Sequence, residues 1–426
     1  MPQTTQFIRR WAQKDLDKAM ASHRVVSVVG CRQSGKTTML ENANLPNSQF
    51  FSLDSTETLQ SIQNDINYFL RARQGQTLIL DEVQKEPALI GEIKYIVDRN
   101  PDRGQFVLSG SADYRKIPGA TESLAGRSTF VRVRTLSEAE KRGGNPLFLE
   151  SLFAGKLPKK MTFDACYKDE VARWAIAGGF PELASNNDIE SRARWYRAYV
   201  DNQVILDMRN QWGFRKSDLL KNLLTHASVF SSKLLSTKSI CELHKASWET
   251  INNYLSALEA MYLIEKLPGW ATNDYDTPGT TPKLFMTDSG LMAHLMAVFS
   301  ESQLLNADQA SGDKLGKLVE TWIYNQLKSE IELHPLWSIS HMRTKSHEID
   351  FLVFDEQQRF IAIEVKASET VRTEDFKHLH WLRSLVGPEK FVKGIVLYAG
   401  QKVFAAGNDC YGLPMSAFWD DFSEWF

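Results

Sequence analysis

Hydrophobic residues are grouped in short blocks along this chain. Apolar runs of four to five residues stand at 25–29, 77–80 and 394–398, and an alternating run stands at 129–133. Blocks of this length that are rich in β-branched residues indicate buried strands. Elsewhere, apolar residues recur every three or four positions, which is typical of amphipathic helices. The pattern predicts an α/β protein.

The chain has 426 residues, which is the length of two to four domains. Fifty Lys and Arg residues against 52 Asp and Glu residues give a net charge of −2, which excludes a histone-like polycation and an acidic disordered tail. A nearly neutral chain can still carry a local basic face for nucleic acid. Apolar runs fall short of the roughly 18 residues of a membrane helix, and the N-terminus does not resemble a secretory signal. The cysteines form no CxxC pair and suit a reducing compartment: Cys31, Cys166, Cys241 and Cys410. We therefore expect a soluble, cytoplasmic protein without membrane contact.

A phosphate-binding loop follows the first predicted strand. The segment GCRQSGKT matches the GxxxxGK[ST] pattern and lies between a strand and a helix. Gly30 and Gly35 allow the backbone to curl so that its N–H groups face a phosphate. Lys36 can reach the β and γ phosphates, the hydroxyl of Thr37 can bind Mg²⁺, and Thr38 adjoins it. The loop predicts ATP and Mg²⁺ as ligands.

Two acidic residues close a later apolar strand. Asp81 stands where a carboxylate can hold Mg²⁺ through water, and Glu82 where one can orient or deprotonate the attacking water. An apolar run that ends in Asp-Glu is common, but its position about forty residues after the loop strengthens the interpretation. The strand predicted at 105–108 ends in Ser109 and Ser111, at a position that resembles the sensor of ATPases.

Four segments, taken in order, resemble a known family: VVGCRQSGKTT, LILDEVQ, LSGSADY and SLAGR. They are similar to the motifs of a prokaryotic AAA-type ATPase family whose C-terminal half is a domain of unknown function. Its relatives include STAND and archaeal-type ATPases. The resemblance implies a P-loop fold that hydrolyses ATP. It also implies that Arg127, between the fourth and fifth core strands, is an arginine finger that acts in trans in a homo-oligomer. The alternative is a solvated loop charge.

The middle of the chain is predicted to be helical. Between Glu190 and Lys233, eight Lys and Arg residues stand against four Asp and Glu residues, with Trp195, Tyr196 and Trp212 interleaved. Cations and exposed rings suit phosphates and bases, but a solvated helix with its aromatic residues in the core has the same composition. The segment AGGFPE resembles the Gly-Gly-x-Pro element that lies against adenine in the wider ATPase group. A turn between helices explains that segment as well.

A helix–turn–helix followed by a hairpin is predicted next. Thr237–His244 is a short helix, and Ser247 can cap a longer one with an apolar inner face at Ile251, Leu255, Leu258 and Met261. Two strands, 262–266 and 282–287, complete the pattern of a winged helix. The outer face of the longer helix carries Trp248, Glu249, Asn252 and Asn253. Asparagines suit base edges, but the glutamate and the lack of Lys or Arg leave a packing or oligomerisation role equally open.

Four residues in the C-terminal part resemble the PD-(D/E)xK nuclease motif: Glu320, Asp350, Glu364 and Lys366. Glu320 lies on a predicted helix and the others lie on two predicted strands. The two-residue period of a strand places Glu364 and Lys366 on one face. The predicted order of elements, αβββαβ, also resembles this restriction-endonuclease-like fold, in which the carboxylates bind Mg²⁺ and the lysine assists at the phosphate. A working nuclease and a DNA-binding platform without cleavage both remain open.

Together these features predict an ATPase that depends on Mg²⁺ and ATP, binds DNA, and couples hydrolysis to DNA remodelling or to gating of the nuclease-like site. Branched or junction DNA is one option. The alternative is a STAND-like switch in which ATP controls assembly with a protein partner, without DNA. We predict four domains: an AAA-type ATPase core at 1–135, a helical lid and connector at 136–232, a winged helix at 233–300, and a nuclease-like α/β domain at 311–426.

Overall fold

The structure of the chain is a computed structural model. It describes residues 7–111, 124–164, 166–186, 188–214, 217–271, 281–306 and 308–426. The chain divides into two units. One unit contains residues 1–135, 203–215 and 256–263, and the other contains residues 136–202, 216–255 and 264–426. Among the described residues, no helix combines the length and the apolar character needed to cross a membrane.

A five-stranded parallel sheet forms the centre of the first unit. Its strands are β1 (Val25–Val29), β2 (Ser48–Ser52), β3 (Thr77–Asp81), β4 (Phe106–Gly110) and β5 (Ser128–Arg132). Their order across the sheet is β2-β3-β4-β1-β5. All five residues of β1 are buried, as expected for a strand of a parallel sheet that is covered on both faces.

Helices cover both faces of this sheet: α1 (Ala12–Ser22), α2 (Lys36–Glu41), α3 (Thr56–Asn64), α4 (Ile66–Arg71) and α5 (Ala88–Arg99). Successive residues of β3 point to opposite faces. Leu78 packs in one cluster with Phe69 of α4 and Ile93 of α5. Ile79 packs in another cluster, with Leu16 of α1 and Met39 of α2. The unit is therefore a three-layer α/β arrangement, as the hydrophobic pattern predicts.

Strand β4 begins one residue later and ends two residues later than predicted. Its parallel pairing with β1 extends as far as Gly110, opposite Val29. Ser109 is therefore part of the strand, and only Ser111 follows it directly. The residues after Ser111 in the segment LSGSADY, and the first part of SLAGR, lie outside the described residues.

The middle of the chain is helical, as predicted. Its helices are α6 (Glu138–Lys141), α7 (Phe148–Phe153), α8 (Lys168–Ala177), α9 (Ile189–Tyr199), α10 (Ile205–Trp212), α11 (Ser217–Val229), α12 (Thr237–His244) and α13 (Trp248–Ala260). The Ser247 hydroxyl accepts the N–H of Thr250 at 3.2 Å, which is the predicted cap of α13. The predicted inner face of α13 is buried.

A small antiparallel sheet is formed by three strands, of which one lies between α11 and α12 and two follow α13 in the chain. It contains β6 (Lys233–Leu234), β7 (Ile264–Leu267) and β8 (Lys283–Met286), arranged as β6-β8-β7. All four residues of the central strand β8 are buried. The predicted hairpin strands are thus confirmed, with β7 starting two residues later than expected. Most of the loop between them, 272–280, lies outside the described residues.

The C-terminal part contains a six-stranded mixed sheet and three helices. The helices are α14 (Ser289–Leu295), α15 (Gln309–Ile331) and α16 (Lys377–Val386). The strands are β9 (Ser338–Arg343), β10 (Glu348–Phe354), β11 (Phe360–Lys366), β12 (Phe391–Tyr398), β13 (Phe404–Gly407) and β14 (Cys410–Pro414). The sheet order is β13-β14-β12-β11-β10-β9. From α15 to β12 the elements follow the predicted order, although a 3₁₀ turn at Thr373–Phe376 replaces the start of the last predicted helix.

Candidate nucleotide site and C-terminal carboxylate cluster

A tight turn connects β1 to α2 and contains the predicted phosphate-binding loop. A Cβ atom on Gly30 would lie 2.1 Å from the carbonyl oxygen of Val133, far inside van der Waals contact. Gly35 has a φ of 92°, a left-handed conformation that favours glycine. The backbone path of this turn therefore needs a glycine at both positions where the motif has one.

The Lys36 side chain is buried within the loop. Its Nζ donates hydrogen bonds to the carbonyl oxygens of Gly30 and Cys31, both at 2.9 Å. Among the described residues, its hydrogen-bond partners are these neutral carbonyls. Burial lowers the pKa of Lys36 from its usual value because water no longer solvates the ammonium. An ammonium held in this way gains free energy when an anion comes within reach.

The two residues predicted to hold Mg²⁺ are in direct contact. The Thr37 hydroxyl donates a hydrogen bond of 2.7 Å to Oδ2 of Asp81, the last residue of β3. The strand and the loop thus bring together two segments that lie 44 positions apart in the chain. Thr38, the next residue of α2, is exposed, and among the described residues no contact of its side chain supports a role in binding.

Glu82 follows in a left-handed conformation, with a φ of 59°. Its carboxylate accepts a hydrogen bond from the side-chain amide of Gln84, which also donates to the Ser111 hydroxyl at 3.2 Å. Burial raises the pKa of Glu82 above its usual value, while the Lys36 ammonium opposes this shift. A carboxylate with a raised pKa suits water activation near neutral pH. The sequence prediction gave Gln84 no role, although it lies within the segment LILDEVQ.

Several buried polar atoms near these residues have no hydrogen-bond partner among the described residues: Ser34 Oγ, Asp81 Oδ1, Gln84 Oε1 and Ser109 Oγ. Buried polar atoms in native proteins are nearly always paired. Their clustering around one loop and two strand ends fits a polar ligand. The donor set fits Mg²⁺ and ATP: Thr37 and Asp81 would hold the metal, and Lys36 and the loop would hold the phosphates.

The four residues of the predicted nuclease-like motif line a cavity of about 410 Å³. Glu320 comes from α15, Asp350 from β10, and Glu364 and Lys366 from β11. Lys366 Nζ lies 3.6 Å from a Glu364 carboxylate oxygen, and Oδ2 of Asp350 accepts the N–H of Val365 at 3.0 Å. The structure therefore brings all four predicted residues to one place.

A fifth residue, Lys283 of β8, stands among these carboxylates. Its Nζ lies 3.0 Å from Glu320, 3.2 Å from Glu348 and 3.5 Å from Asp350. Lys283 is 1% exposed. The sequence prediction assigned no role to Lys283 or Glu348. The available signal was a lysine in an apolar run, PKLFM, where a buried strand residue must find a partner for its charge.

The charges of this cluster shift one another. Burial lowers the pKa of Lys283, and the adjoining carboxylates raise it. The carboxylates together have the larger effect, so the pKa of Lys283 lies above its usual value. Burial and the negative charge of Asp350 raise the pKa of Glu320 to about 7. The same two causes raise the pKa of Glu364 well above its usual value. The described residues contain no group of three or more His, Cys, Asp or Glu side chains placed to hold a metal ion. The four predicted residues thus lie together, and Lys283 contacts two of the carboxylates that were expected to bind Mg²⁺.

Comparison with family models divides the chain into three parts. Residues 22–141 match the model described as an AAA domain. That match contains the loop and the two strand ends described above. The first part of the chain is an AAA-type ATPase domain. Residues 168–302 match a domain of unknown function, DUF8612, and residues 315–418 match another domain of unknown function, DUF4143.

Relatives match along most of the chain. An uncharacterized protein of Mycobacterium tuberculosis is 24% identical over 410 residues, which cover 95% of this chain and 83% of the relative. An uncharacterized protein of Methanocaldococcus jannaschii is 22% identical over 387 residues, covering 85% of this chain and 80% of the relative. Among solved structures, the Walker-type ATPase of Pyrococcus abyssi matches 68% of this chain and 96% of its own, with 13% identity and a TM-score of 0.42. At this TM-score the likeness does not establish a shared fold.

The predicted arginine finger lies directly before β5 of the AAA domain. Arg127 donates to both carboxylate oxygens of Asp98, with 3.0 Å between Nη2 and Oδ2, and to the carbonyl oxygen of Ala125 at 2.9 Å. The hydrogen bond from Arg127 lowers the pKa of Asp98 below its usual value. In this structure the guanidinium is therefore paired within its own unit, and its action in trans stays a prediction.

Arg32, an arginine of the phosphate-binding loop, also has a carboxylate partner within the first unit. Arg32 donates to the two oxygens of Asp207 at 2.5 and 3.1 Å. Burial raises the pKa of Asp207, and the guanidinium opposes the shift. Sequence analysis could not join these residues because 175 positions separate them.

Two of the aromatic residues of α9, Tyr196 and Tyr199, lie in the core of the second unit, and Trp195 is half-buried. Trp195 stacks on Tyr199 with ring centroids 5.3 Å apart, and both Tyr196 and Tyr199 are buried. Among the basic residues, Arg194 pairs with Glu190 at 2.8 Å. The contacts of α9 therefore favour a solvated helix that packs its aromatic residues inward, and they do not favour an exposed surface for stacking with bases.

The Gly-Gly-x-Pro segment packs against α14. The Gly179 N–H donates to Asp288 at 2.8 Å, and a Cβ atom on Gly178 would lie 2.5 Å from Asp288 Oδ1. Asp288 also caps α14 by accepting the N–H of Leu291 at 2.8 Å. These contacts account for the paired glycines as a tight turn between helices.

Proposed function

We propose that this chain is a DNA-binding ATPase that uses Mg²⁺ and ATP and couples hydrolysis to a rearrangement of DNA. The contact between Thr37 and Asp81, with Glu82 next in the chain, is the observation that carries the ATPase part. It joins the two motifs in the arrangement that phosphoryl transfer to water requires. The AAA domain match supports the same conclusion.

Each residue of the nucleotide site has a distinct task in this proposal. Lys36 and the loop N–H groups bind the β and γ phosphates, and Thr37 and Asp81 hold the metal. Mg²⁺, when bound, would neutralise phosphate charge. Glu82 orients the attacking water or accepts its proton, while Gln84 and Ser111 hold its carboxylate in position. Ser109, buried on β4 with an unpartnered hydroxyl, would contact the nucleotide.

The DNA part rests on the order of elements from α11 to β8. The chain passes through helix, strand, two helices and two strands, and this order, with the sheet order β6-β8-β7, supports the proposal of a winged helix. Trp248, the first residue of α13, is 68% exposed, and Asn253, just over one helical turn further along, is also exposed. An exposed ring suits stacking with bases, and an exposed amide suits base edges.

The elements from α15 to β12 add a second line of support. Their order αβββαβ, with β11 parallel to β12 and antiparallel to β10, supports the proposal of a restriction-endonuclease-like fold. We propose that this region serves as a DNA platform and does not cleave. Its preference for branched or junction DNA is part of the proposal.

An ATPase assay with and without DNA tests this function. We expect single-stranded, duplex or four-way junction DNA to raise the hydrolysis rate several-fold, with a strong dependence on salt. Trp248→Ala together with Asn253→Ala should reduce the stimulation and leave basal hydrolysis unchanged. The matched control is Leu243→Ala, which changes an exposed apolar residue of α12. If no DNA binds or stimulates, the DNA proposal fails and the STAND-like switch with a protein partner takes its place.

We also propose that the protein forms a homo-oligomer in which Arg127 reaches a neighbouring nucleotide. Release from Asp98 would be needed for that movement. Arg127→Ala subunits mixed with Lys36→Ala subunits should then recover part of the hydrolysis that each lacks alone, because each defect lies on a different side of the shared interface. Asp98→Asn should keep or raise activity. A rate independent of protein concentration, with no recovery on mixing, would refute the proposal.

A further inference from the structure

A lysine amine stands among the carboxylates that the PD-(D/E)xK resemblance assigns to a metal ion. Nζ of Lys283 lies within 3.5 Å of carboxylates from two different elements, Glu320 on α15 and Asp350 on β10, and Glu348 supplies a third at 3.2 Å. Two of these, Glu320 and Asp350, are among the three carboxylates predicted to bind Mg²⁺. The resemblance therefore implies a metal that the arrangement of this chain does not accommodate.

We infer that the Lys283 ammonium takes the place of a divalent metal ion. The carboxylate cluster is then a structural ion-pair network that binds no metal. The inference stands whether or not the chain binds DNA or hydrolyses ATP. It assigns a role to a residue outside the PD-(D/E)xK motif.

The backbone of Lys283 leaves the side chain little freedom to withdraw. Lys283 begins β8, the central strand of the small sheet, and it is paired with Leu234 of β6 on one side and Leu267 of β7 on the other. Moving the residue away would break ladder hydrogen bonds on both sides. A lysine at the surface could exchange with a metal by rotating into water, but this one is 1% exposed.

Each carboxylate of the cluster already faces a positive group. Glu320, Glu348 and Asp350 face the Lys283 ammonium, and Lys366 faces the fourth, Glu364. One oxygen, Oε1 of Glu364, is buried without a hydrogen-bond partner among the described residues. A metal ion would have to displace the ammonium and leave it buried beside a second cation, which is strongly unfavourable in a low-dielectric site. The carboxylates are thus already occupied as ligands of a positive charge.

Binding of Mn²⁺, measured by electron paramagnetic resonance without nucleotide, tests the inference. The first comparison is between the unmodified chain and Asp350→Asn. Asn can still accept the N–H of Val365, so this variant should keep the local fold. Both proteins should bind the same amount of Mn²⁺, because the cluster holds none. A Mn²⁺ ion that the unmodified chain binds and Asp350→Asn loses would overturn the inference.

Removing the lysine should create the metal site that it replaces. Lys283→Met should bind one Mn²⁺ ion more than the unmodified chain does, with an affinity for the cluster at least tenfold higher than that of the unmodified chain. The added Asp350→Asn change should abolish this gain. Lys283→Arg, which keeps the positive charge, should gain none. Lys317→Met is the matched control, because Lys317 lines the same cavity but pairs with Asp313. A folded Lys283→Met protein that gains no Mn²⁺ would contradict the inference. If that variant does not fold, the comparison with Asp350→Asn decides alone.

Discussion

Two lysines of this protein are buried, and the groups that their ammonium ions contact differ. In the AAA domain, Lys36 donates to the neutral carbonyls of Gly30 and Cys31. In the C-terminal part, Lys283 contacts carboxylates directly. The first lysine has its charge uncompensated by direct contact among the described residues, and the second has its charge matched several times over.

The polar atoms around the two lysines also differ in their contacts. Around Lys36, polar atoms of Ser34, Asp81 and Ser109 are buried without partners among the described residues. Around Lys283, three carboxylates form ion pairs with the ammonium, while Glu364, which pairs with Lys366 through one oxygen, has its Oε1 buried without a partner among the described residues. Unmatched polar groups are retained at a cost in stability, and a ligand that pairs with them explains their presence. The partners of a buried lysine, more than the residue types around it, therefore distinguish a binding site from an internal cluster.

The largest expected effect is on nucleotide binding. Lys36→Ala should weaken ATP binding by at least 100-fold in calorimetry, because it removes the ammonium that reaches the phosphates. Lys18→Ala, an exposed lysine of α1, is the control and should bind as before. Retained affinity in Lys36→Ala would remove the distinction between the two lysines.

Glu82→Gln should separate binding from hydrolysis. Mg²⁺ and ATP should still bind, while the rate of phosphate release falls by roughly 10²- to 10⁴-fold, since the general base is lost. Glu57→Gln changes an exposed glutamate of α3 and should leave the rate unchanged. Turnover of Glu82→Gln at the original rate would require another base.

Stability should respond in opposite ways to the loss of the two lysines. Lys283→Met leaves buried carboxylates without their cation and should lower stability by about 3–5 kcal/mol. In thermal unfolding this corresponds to a decrease of roughly 5 °C or more in the midpoint of the second unit. Lys36→Met without nucleotide should leave the midpoint unchanged or raise it, because burial disfavours that ammonium. Equal losses for both variants would contradict the comparison.

The smallest effect concerns a carboxylate outside both sites. Glu330 accepts the N–H groups of Leu149 and Glu150 at 2.8 and 3.1 Å, and burial raises its pKa to about 8. The folded state therefore binds more protons than the unfolded state between about pH 4.5 and 8, and stability falls as pH rises through this window. Glu330→Gln keeps an acceptor oxygen and loses the charge.

At pH 8, Glu330→Gln should be more stable than the unmodified chain by about 1–2 kcal/mol, with little gain at pH 5. Thermal unfolding at both pH values measures the difference. Glu332→Gln, which removes a surface partner of Lys328, is the control. A gain of equal size at both pH values would show that charge is not the cause.

The nucleotide site was predictable from sequence because its chemistry is local. The loop from Gly30 to Thr37 spans a single turn, so that spacing alone places the lysine and the hydroxyl. The strand ending at Asp81 was also predictable, because a buried strand must be apolar until it reaches the sheet edge. The end of β4 was less well predicted, since pairing with β1 decides how far a strand extends.

The sequence by itself determined the elements, the phosphate-binding loop and the residues that can carry charge in each site. The tertiary structure alone decided which charges meet. Lys283 reaches Glu320 and Asp350 across 37 and 67 positions, and Arg32 reaches Asp207 across 175. No periodicity or spacing connects residues at such distances, because their approach depends on how sheets and helices pack. Two residues of the PD-(D/E)xK-like quartet thus meet a lysine of β8, a strand that lies outside the motif.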